Sequence, residues 1–202
     1  VGRKQVLTPP DIKQYCLENG LDIPILQPKK LKDNLAAYIA ITELKPDFIV
    51  VAAYGQILPK EILKVAPCIN LHASILPNYR GASPIQEGLL NDDEYLGVTS
   101  MLMEEGLDCG DMLGFSYLKN EKNMLVSEAF SKLSNLAAKL TITTLDSFEN
   151  IRAKKQLNAM ASFCKKIKKE DGEVDFKDAK KLFCKYKAYS FWPGVFLKSE
   201  LK

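Results

Sequence analysis

The chain has 202 residues, 47% of them hydrophobic, with 28 lysines and arginines against 25 aspartates and glutamates, for a net charge of +3. That length suits one α/β domain with a small appendage, and the apolar content is enough for a real core. Its longest apolar runs are far too short to span a bilayer, so a membrane partner is not expected, and no signal-peptide pattern opens the chain.

The chain begins at Val1 and ends at Lys198-Ser-Glu-Leu-Lys202, in what reads as a strand or turn, and is taken as a fragment of a longer protein. Five cysteines (Cys16, Cys68, Cys109, Cys164, Cys184) are scattered without metal-ligand spacing, and there is a single histidine. No metal is expected, and free thiols fit a cytoplasmic, reducing environment. Lysines crowd the end of the chain, from Lys165 to Lys187. Such a cluster reads either as a solvated face or as a contact for a polyanion.

In chain order, Gly2 to Pro10 reads as a loop carrying the basic residues Arg3 and Lys4. Pro10 to Asn19 is expected as a helix, with Gly20 at its C-terminal cap. Asp33 to Leu44 is expected as a second helix. Phe48 to Ala53 is a continuous, β-branched apolar run, the pattern of a strand buried on both faces. Pro59 to Val65 reads as a short helix and Cys68 to His72 as the next strand, which together make a parallel βαβ unit. Leu76 to Ser83 is a loop and Pro84 to Leu90 a helix. Gly97 to Met103 and Met112 to Leu118 are expected strands, separated by the turn Glu104 to Asp111. Ser127 to Phe148 has the apolar stripe of a long amphipathic helix. The polar, lysine-rich stretch 151–161 reads as a linker, and 162–202 as the beginning of a second domain. No GxGxxG or P-loop pattern supports a nucleotide-phosphate cradle.

Three pieces carry chemistry. Asn70 and His72 are two apart at the end of an expected strand, so their side chains leave by one face. An amide N–H and an imidazole converging on one point suit a carbonyl that becomes an oxyanion. Ser74, Ile75, Leu76 and Pro77 follow in a constrained loop, with Arg80 and Gly81 beyond it. Asp108 lies between Gly106 and Gly110 in an expected tight turn, and an aspartate facing a histidine orients the ring and stabilises imidazolium.

The runs INLHASILPNYRGASPIQ (69–86), GVTSMLMEEGLDCGDML (97–113) and FIVVAAYGQILP (48–59) resemble the folate-dependent formyltransferase family over nearly the whole chain. Pro84-Ile85-Gln86, Gly106-Leu107-Asp108 and the basic loop from Arg3 to Pro10 are most similar to its tRNA-acting members. The resemblance implies a Rossmann-like, parallel-sheet α/β catalytic domain over 1–150, lacking its first βα unit, a linker over 151–161, and the start of a small OB-like β-barrel, tRNA-binding, over 162–202. It implies transfer of a formyl group from 10-formyltetrahydrofolate to the α-amino group of methionyl initiator tRNA. Asn70, His72 and Asp108 are then the catalytic residues, Ser74, Ile75, Leu76 and Pro77 hold the folate, and Arg3 and Lys4 meet the tRNA. Apolar Ile75 and Leu76 would flank the pterin, and the Tyr54 to Pro59 loop would form a second wall. The working expectation is a monomer. Formylation of an amino sugar nucleotide or of glycinamide ribotide is the alternative reading, and a folate- or RNA-binding fragment without turnover is a third.

Overall fold

The computed structural model describes residues 8–197. Arg3 and Lys4 therefore lie outside the described residues. The chain opens with helices α1 (Asp11–Glu18) and α2 (Leu35–Glu43). The expected start of α2 at Asp33 moves inward for two reasons. Asp33 sits in the left-handed region at φ 58°, and Asn34 takes the cap, its Oδ1 accepting the Ala37 N–H at 3.0 Å.

Strand β1 (Ile49–Ala52), helix α3 (Lys60–Leu63) and strand β2 (Cys68–His72) form the βαβ unit. The strands run parallel, from Ile49 opposite Cys68 to Ala52 opposite Leu71. The short strand β3 (Arg80–Gly81) and helix α4 (Pro84–Leu90) follow, then β4 (Tyr95–Leu102), β5 (Met112–Lys119) and the long helix α5 (Val126–Asp146). The main sheet has the order β1-β2-β4-β5.

Two expectations are corrected here. The sheet is mixed and not parallel, because β4 runs antiparallel to both β2 and β5. A parallel neighbour needs a crossover connection, and the segment between β4 and β5 is a turn. Nor is β1 buried on both faces. It is the edge strand of the sheet, and Val50 stays 43% exposed while Val51 is buried.

The sheet carries a core on each side. Ile69 and Leu71 join Leu89 of α4, Val98 of β4 and Ala129 and Leu133 of α5. Val51 and Cys68 join Leu31, Ala37, Leu58 and Ile62 on the other side. Each such valine, leucine or isoleucine side chain contributes roughly 1.5–3 kcal/mol on burial. The expected helix beyond Asp146 gives way to a short 3-10 turn at Phe148–Asn150, which sets Phe148 edge-on against Phe48, with ring centroids 4.9 Å apart.

The remaining segment is tied to this layer. Strand β6 (Phe163–Cys164) pairs in parallel with β3. Strand β7 (Glu173–Val174) pairs with β8 (Phe196–Leu197). Between these, helix α6 (Ala179–Tyr189) places Ala188 and Tyr189 in the larger core. Lys187 of α6 is 1% exposed, and its Nζ lies 3.0 Å from Oδ1 of Asp92, just after α4. Lys180 reaches the other carboxylate oxygen at 3.3 Å. All five cysteines are free thiols.

Candidate active site

Alternation along β2 sends Ile69 and Leu71 into the larger core and leaves Asn70 and His72 on the opposite face. His72 is buried. Its Nε2 lies 2.9 Å from the carbonyl oxygen of Tyr79. A carbonyl can only accept, so Nε2 carries a proton there. Nδ1 then faces Oδ2 of Asp108 at 3.6 Å. In the neutral ring that nitrogen is a bare acceptor opposite a carboxylate. A ring protonated at both nitrogens donates to the carbonyl and sets its charge 3.6 Å from the carboxylate.

The Tyr79 carbonyl is held in place from several sides. Tyr79 has φ +59°, its N–H donates to Ser162 Oγ at 2.9 Å, and its hydroxyl donates to Asp93 Oδ2 at 2.7 Å. Burial, reinforced by the Asp93 contact, pushes the phenol up to about 12, so it remains a donor. Burial also raises Asp93, against the opposing hydrogen bond from Tyr79.

Asp108 reaches the same face from the turn between β4 and β5. The turn is tight: Gly106 has φ +154° and Asp108 φ +49°. A Cβ at Gly110 would lie 1.9 Å from the Leu102 carbonyl oxygen, so only glycine fits there. The Asp108 carboxylate accepts the Gly81 N–H at 2.9 Å through Oδ2. Its Oδ1 lies 3.4 Å from Nδ2 of Asn70. The structure thus brings Asn70, His72 and Asp108 together, and Asn70 keeps one amide hydrogen with no partner among the described residues.

The Ser74 to Pro77 loop leaves directly from β2 and is pinned beneath. Thr99 of β4 accepts the Leu76 N–H at 3.0 Å and donates to the Ser74 carbonyl at 2.7 Å. Ser74 Oγ donates to the Asn78 carbonyl at 2.5 Å, and the Pro77 carbonyl accepts the Ser162 N–H at 3.3 Å. Leu76 is buried, and the Ile75 side chain rests against Gly97. Ile75 and Pro77 are half-buried. A small cavity beside it, lined by Ser74, Ile75, Tyr79, Asp93, Tyr95 and Gly97, does not reach Asn70, His72 or Asp108. In the Tyr54 to Pro59 loop, Gln56 accepts the Leu31 N–H at 3.0 Å, Leu58 is buried and Ile57 is exposed.

The sequence assigns no role to Arg80 and does not single out Gln156, yet both support this site. Arg80 is buried, and its guanidinium reaches Gln156 Oε1 from Nε at 3.0 Å and from Nη2 at 2.8 Å. Gln156 in turn donates to the carbonyls of Asp108 at 2.9 Å and Gly110 at 2.8 Å. Arg80 stands inside the quoted motif, but nothing in its position signals burial. Gln156 lies in a polar stretch with no periodicity to place it.

Among the described residues no three His, Cys, Asp or Glu side chains gather to hold a metal ion. None of the described helices is long and apolar enough to cross a membrane.

The formyl transferase family model matches residues 1–145. The chain belongs to the formyl transferase family. Within curated members of that family it is 56% identical over 202 residues to the methionyl-tRNA formyltransferase of a Nitratiruptor species, covering all of this chain and 67% of that protein. It is 57% identical to the Campylobacter lari enzyme of the same name, covering 66% of it. The chain therefore spans about two thirds of the length of the curated relatives it matches. Among solved structures, a methionyl-tRNA formyltransferase from Clostridium thermocellum shares the fold at TM-score 0.67 and 20% identity, over 93% of this chain and 82% of that one. HypX from Aquifex aeolicus, solved in complex with tetrahydrofolic acid, shares it at TM-score 0.68 and 20% identity, over 78% of this chain and 28% of that one. The family's α/β fold with a mixed sheet is the fold seen here.

Proposed function

We propose that this site transfers a formyl group from 10-formyltetrahydrofolate to the α-amino group of methionyl initiator tRNA, for translation initiation. One observation carries the reading. Asn70, His72 and Asp108 meet on one face at the end of β2, in a chain that aligns over its full length with methionyl-tRNA formyltransferases.

When bound, the folate supplies an activated formyl carbonyl. Attack by the methionyl amine forms the new C–N bond, and the bond from the formyl carbon to the folate nitrogen then breaks. Asn70 donates its free amide N–H to the oxyanion formed between those steps, and one such donor is typically worth roughly 3–4 kcal/mol of barrier. His72 stabilises the same charge, its ring orientation set by the Tyr79 carbonyl and the Asp108 carboxylate. Asp108 is also the acceptor that carries the amine proton, directly or through a water, toward the departing folate nitrogen.

Ser74, Ile75, Leu76 and Pro77 hold the folate in this reading. The buried Leu76 leaves the half-buried Ile75 as the apolar flank of the pterin, with loop backbone groups reading its edge. Arg3, Lys4 and the exposed lysines Lys165, Lys166, Lys168, Lys169, Lys177 and Lys181 meet tRNA phosphates in this reading, giving affinity without sequence readout; the buried Lys187 is turned to Asp92 and takes no part. Catalysis is assigned to residues 1–150, joined through 151–161 to the beginning of an OB-like tRNA-binding domain at 162–202. The free thiols are in keeping with action in the cytoplasm.

The test is turnover by the full-length protein with 10-formyltetrahydrofolate and methionyl-tRNA. Glycinamide ribotide and an amino sugar nucleotide serve as competing acceptors. Equal or higher kcat/KM on either small acceptor overturns the assignment of the acceptor.

A further inference from the structure

Arg80 presents an unusual combination. It is 5% exposed, yet among the described residues no carboxylate lies within ion-pair distance of it. Its partners are two neutral amides, Gln156 Oε1 and, at 3.0 Å, Asn158 Oδ1. A buried charge is costly without strong hydrogen bonds, so this arrangement fixes the amides firmly. A guanidinium only donates, so Oε1 of Gln156 faces Arg80 and its NH₂ faces away. That NH₂ meets two carbonyls, of Asp108 and Gly110, which only accept. Neither end can be flipped. A charged donor at Oε1 also polarises the amide and strengthens the bonds its hydrogens make.

The network closes on itself. Gln156 clamps the backbone of the Asp108 turn, and the Asp108 carboxylate accepts the N–H of Gly81, the residue after Arg80. The clamped turn includes a non-glycine residue at φ +49°, a conformation that requires outside support. Nothing in the ring touches Asn70 or His72 except the Asp108 carboxylate it aims.

We propose that Gln156 is a positioning residue for formyl transfer. It holds the Asp108 turn so that the carboxylate faces His72 and Asn70, and the charge of Arg80 locks the amide in the orientation that does so. This rests on the function proposed above.

The discriminating substitution is Gln156→Glu in the full-length protein. It keeps an acceptor for Arg80, so the buried cation stays partnered, but it removes both N–H donors to the turn. Where that variant does not fold, Gln156→Asn replaces it: the amide remains, too short to reach Arg80 and both carbonyls together. The expected result is a kcat lower by about tenfold or more, each tenfold being one step of the barrier, with KM for both substrates within about twofold of the parent. The ring NMR signals of His72, assigned by their loss in His72→Asn, should move toward their positions in Asp108→Asn. A parental kcat, or a loss that merely tracks the folded fraction with the His72 signals unmoved, overturns the proposal. If the parent itself does not formylate methionyl-tRNA, the functional reading fails, and the His72 signals alone decide the positioning role.

Discussion

Oδ2 of Asp108 lies 3.6 Å from Nδ1 of His72, although the two come from different elements of the sheet. The contact joins a strand end to a turn that only glycine can shape. His72 has acceptors at both ring nitrogens, one a backbone carbonyl and one a carboxylate. Replacing His72 with Ala removes the only imidazole of the chain. Formyl transfer should fall by orders of magnitude, each tenfold loss being about 1.4 kcal/mol of barrier, while circular dichroism shows the chain still folded. Near-parental turnover would refute the assigned role.

Asp108→Asn should separate charge from shape. Asparagine tolerates the left-handed backbone as aspartate does, and its oxygen can still accept the Gly81 N–H. What is lost is the anion facing His72. We expect kcat to fall by roughly a hundredfold or more, in the range seen when a positioned acid–base group is removed. Folate binding should be retained, and equilibrium titration with tetrahydrofolate measures it.

Gly110→Ala tests the turn from its far end. The added methyl group would lie 1.9 Å from the Leu102 carbonyl oxygen, and backbone cannot yield as a flexible side chain does. The turn must shift, taking Asp108 with it. Activity should drop at least as far as in Asp108→Asn, with a lower unfolding midpoint in urea; parental values for both would show that the turn yields freely.

Much of this site was legible in the sequence, for a physical reason. Strand alternation is local, so the common face of Asn70 and His72 follows from β2 alone, and β2 and α4 fall at the boundaries their sequences predict. The glycines around Asp108 announce a turn for the same local reason. The direction of β4 is not local: its apolar run reads alike in a parallel or an antiparallel sheet, and only pairing with β2 and β5 decides. The exposure of Val50 depends on what lies over an edge strand. The inward packing of Ile75 depends on Gly97 in another strand, and the burial of Arg80 on two amides from a segment without a pattern of its own.

Asp92→Asn should weaken the fold by about 1–3 kcal/mol, the usual cost of leaving a buried polar group short of its partner. The value belongs at the low end, because Asp92 is 38% exposed and its pairs are screened. Asparagine suits its positive φ of 55°, so the loss reports charge. The hydrogen bond from Lys187, then that from Lys180, holds the Asp92 carboxyl below the usual carboxylate range. A depressed folded-state value means that this stabilisation is present above the unfolded carboxylate range. It is lost as pH falls through the folded value. Urea midpoints of parent and variant should therefore differ at pH 7 and converge in acid. Equal midpoints at both pH values would show that the pair contributes nothing.

Removing the charges of Arg3 and Lys4 should weaken binding of methionyl-tRNA and leave folate affinity unchanged. Phosphate contacts release counterions, so the parent's affinity should fall steeply with salt and the variant's less steeply. Filter binding of the full-length protein across a salt series checks this. Identical curves would mean that the loop is a solvated linker.

The pairing of β3 with β6 has a consequence for the order in which the enzyme comes into being. Asn70 and His72 leave the ribosome early, but the residues that latch the neighbouring loop and turn, Gln156, Ser162 and Cys164, are made long afterwards. Contacts so distant in sequence form late and slowly. A nascent chain that has completed α5 already contains the residues of the main sheet together with Asn70, His72 and Asp108, but not Gln156, which donates to the Asp108 turn. With the positioning role proposed for Gln156, competence to react waits until the segment beyond α5 has been synthesised and folded back.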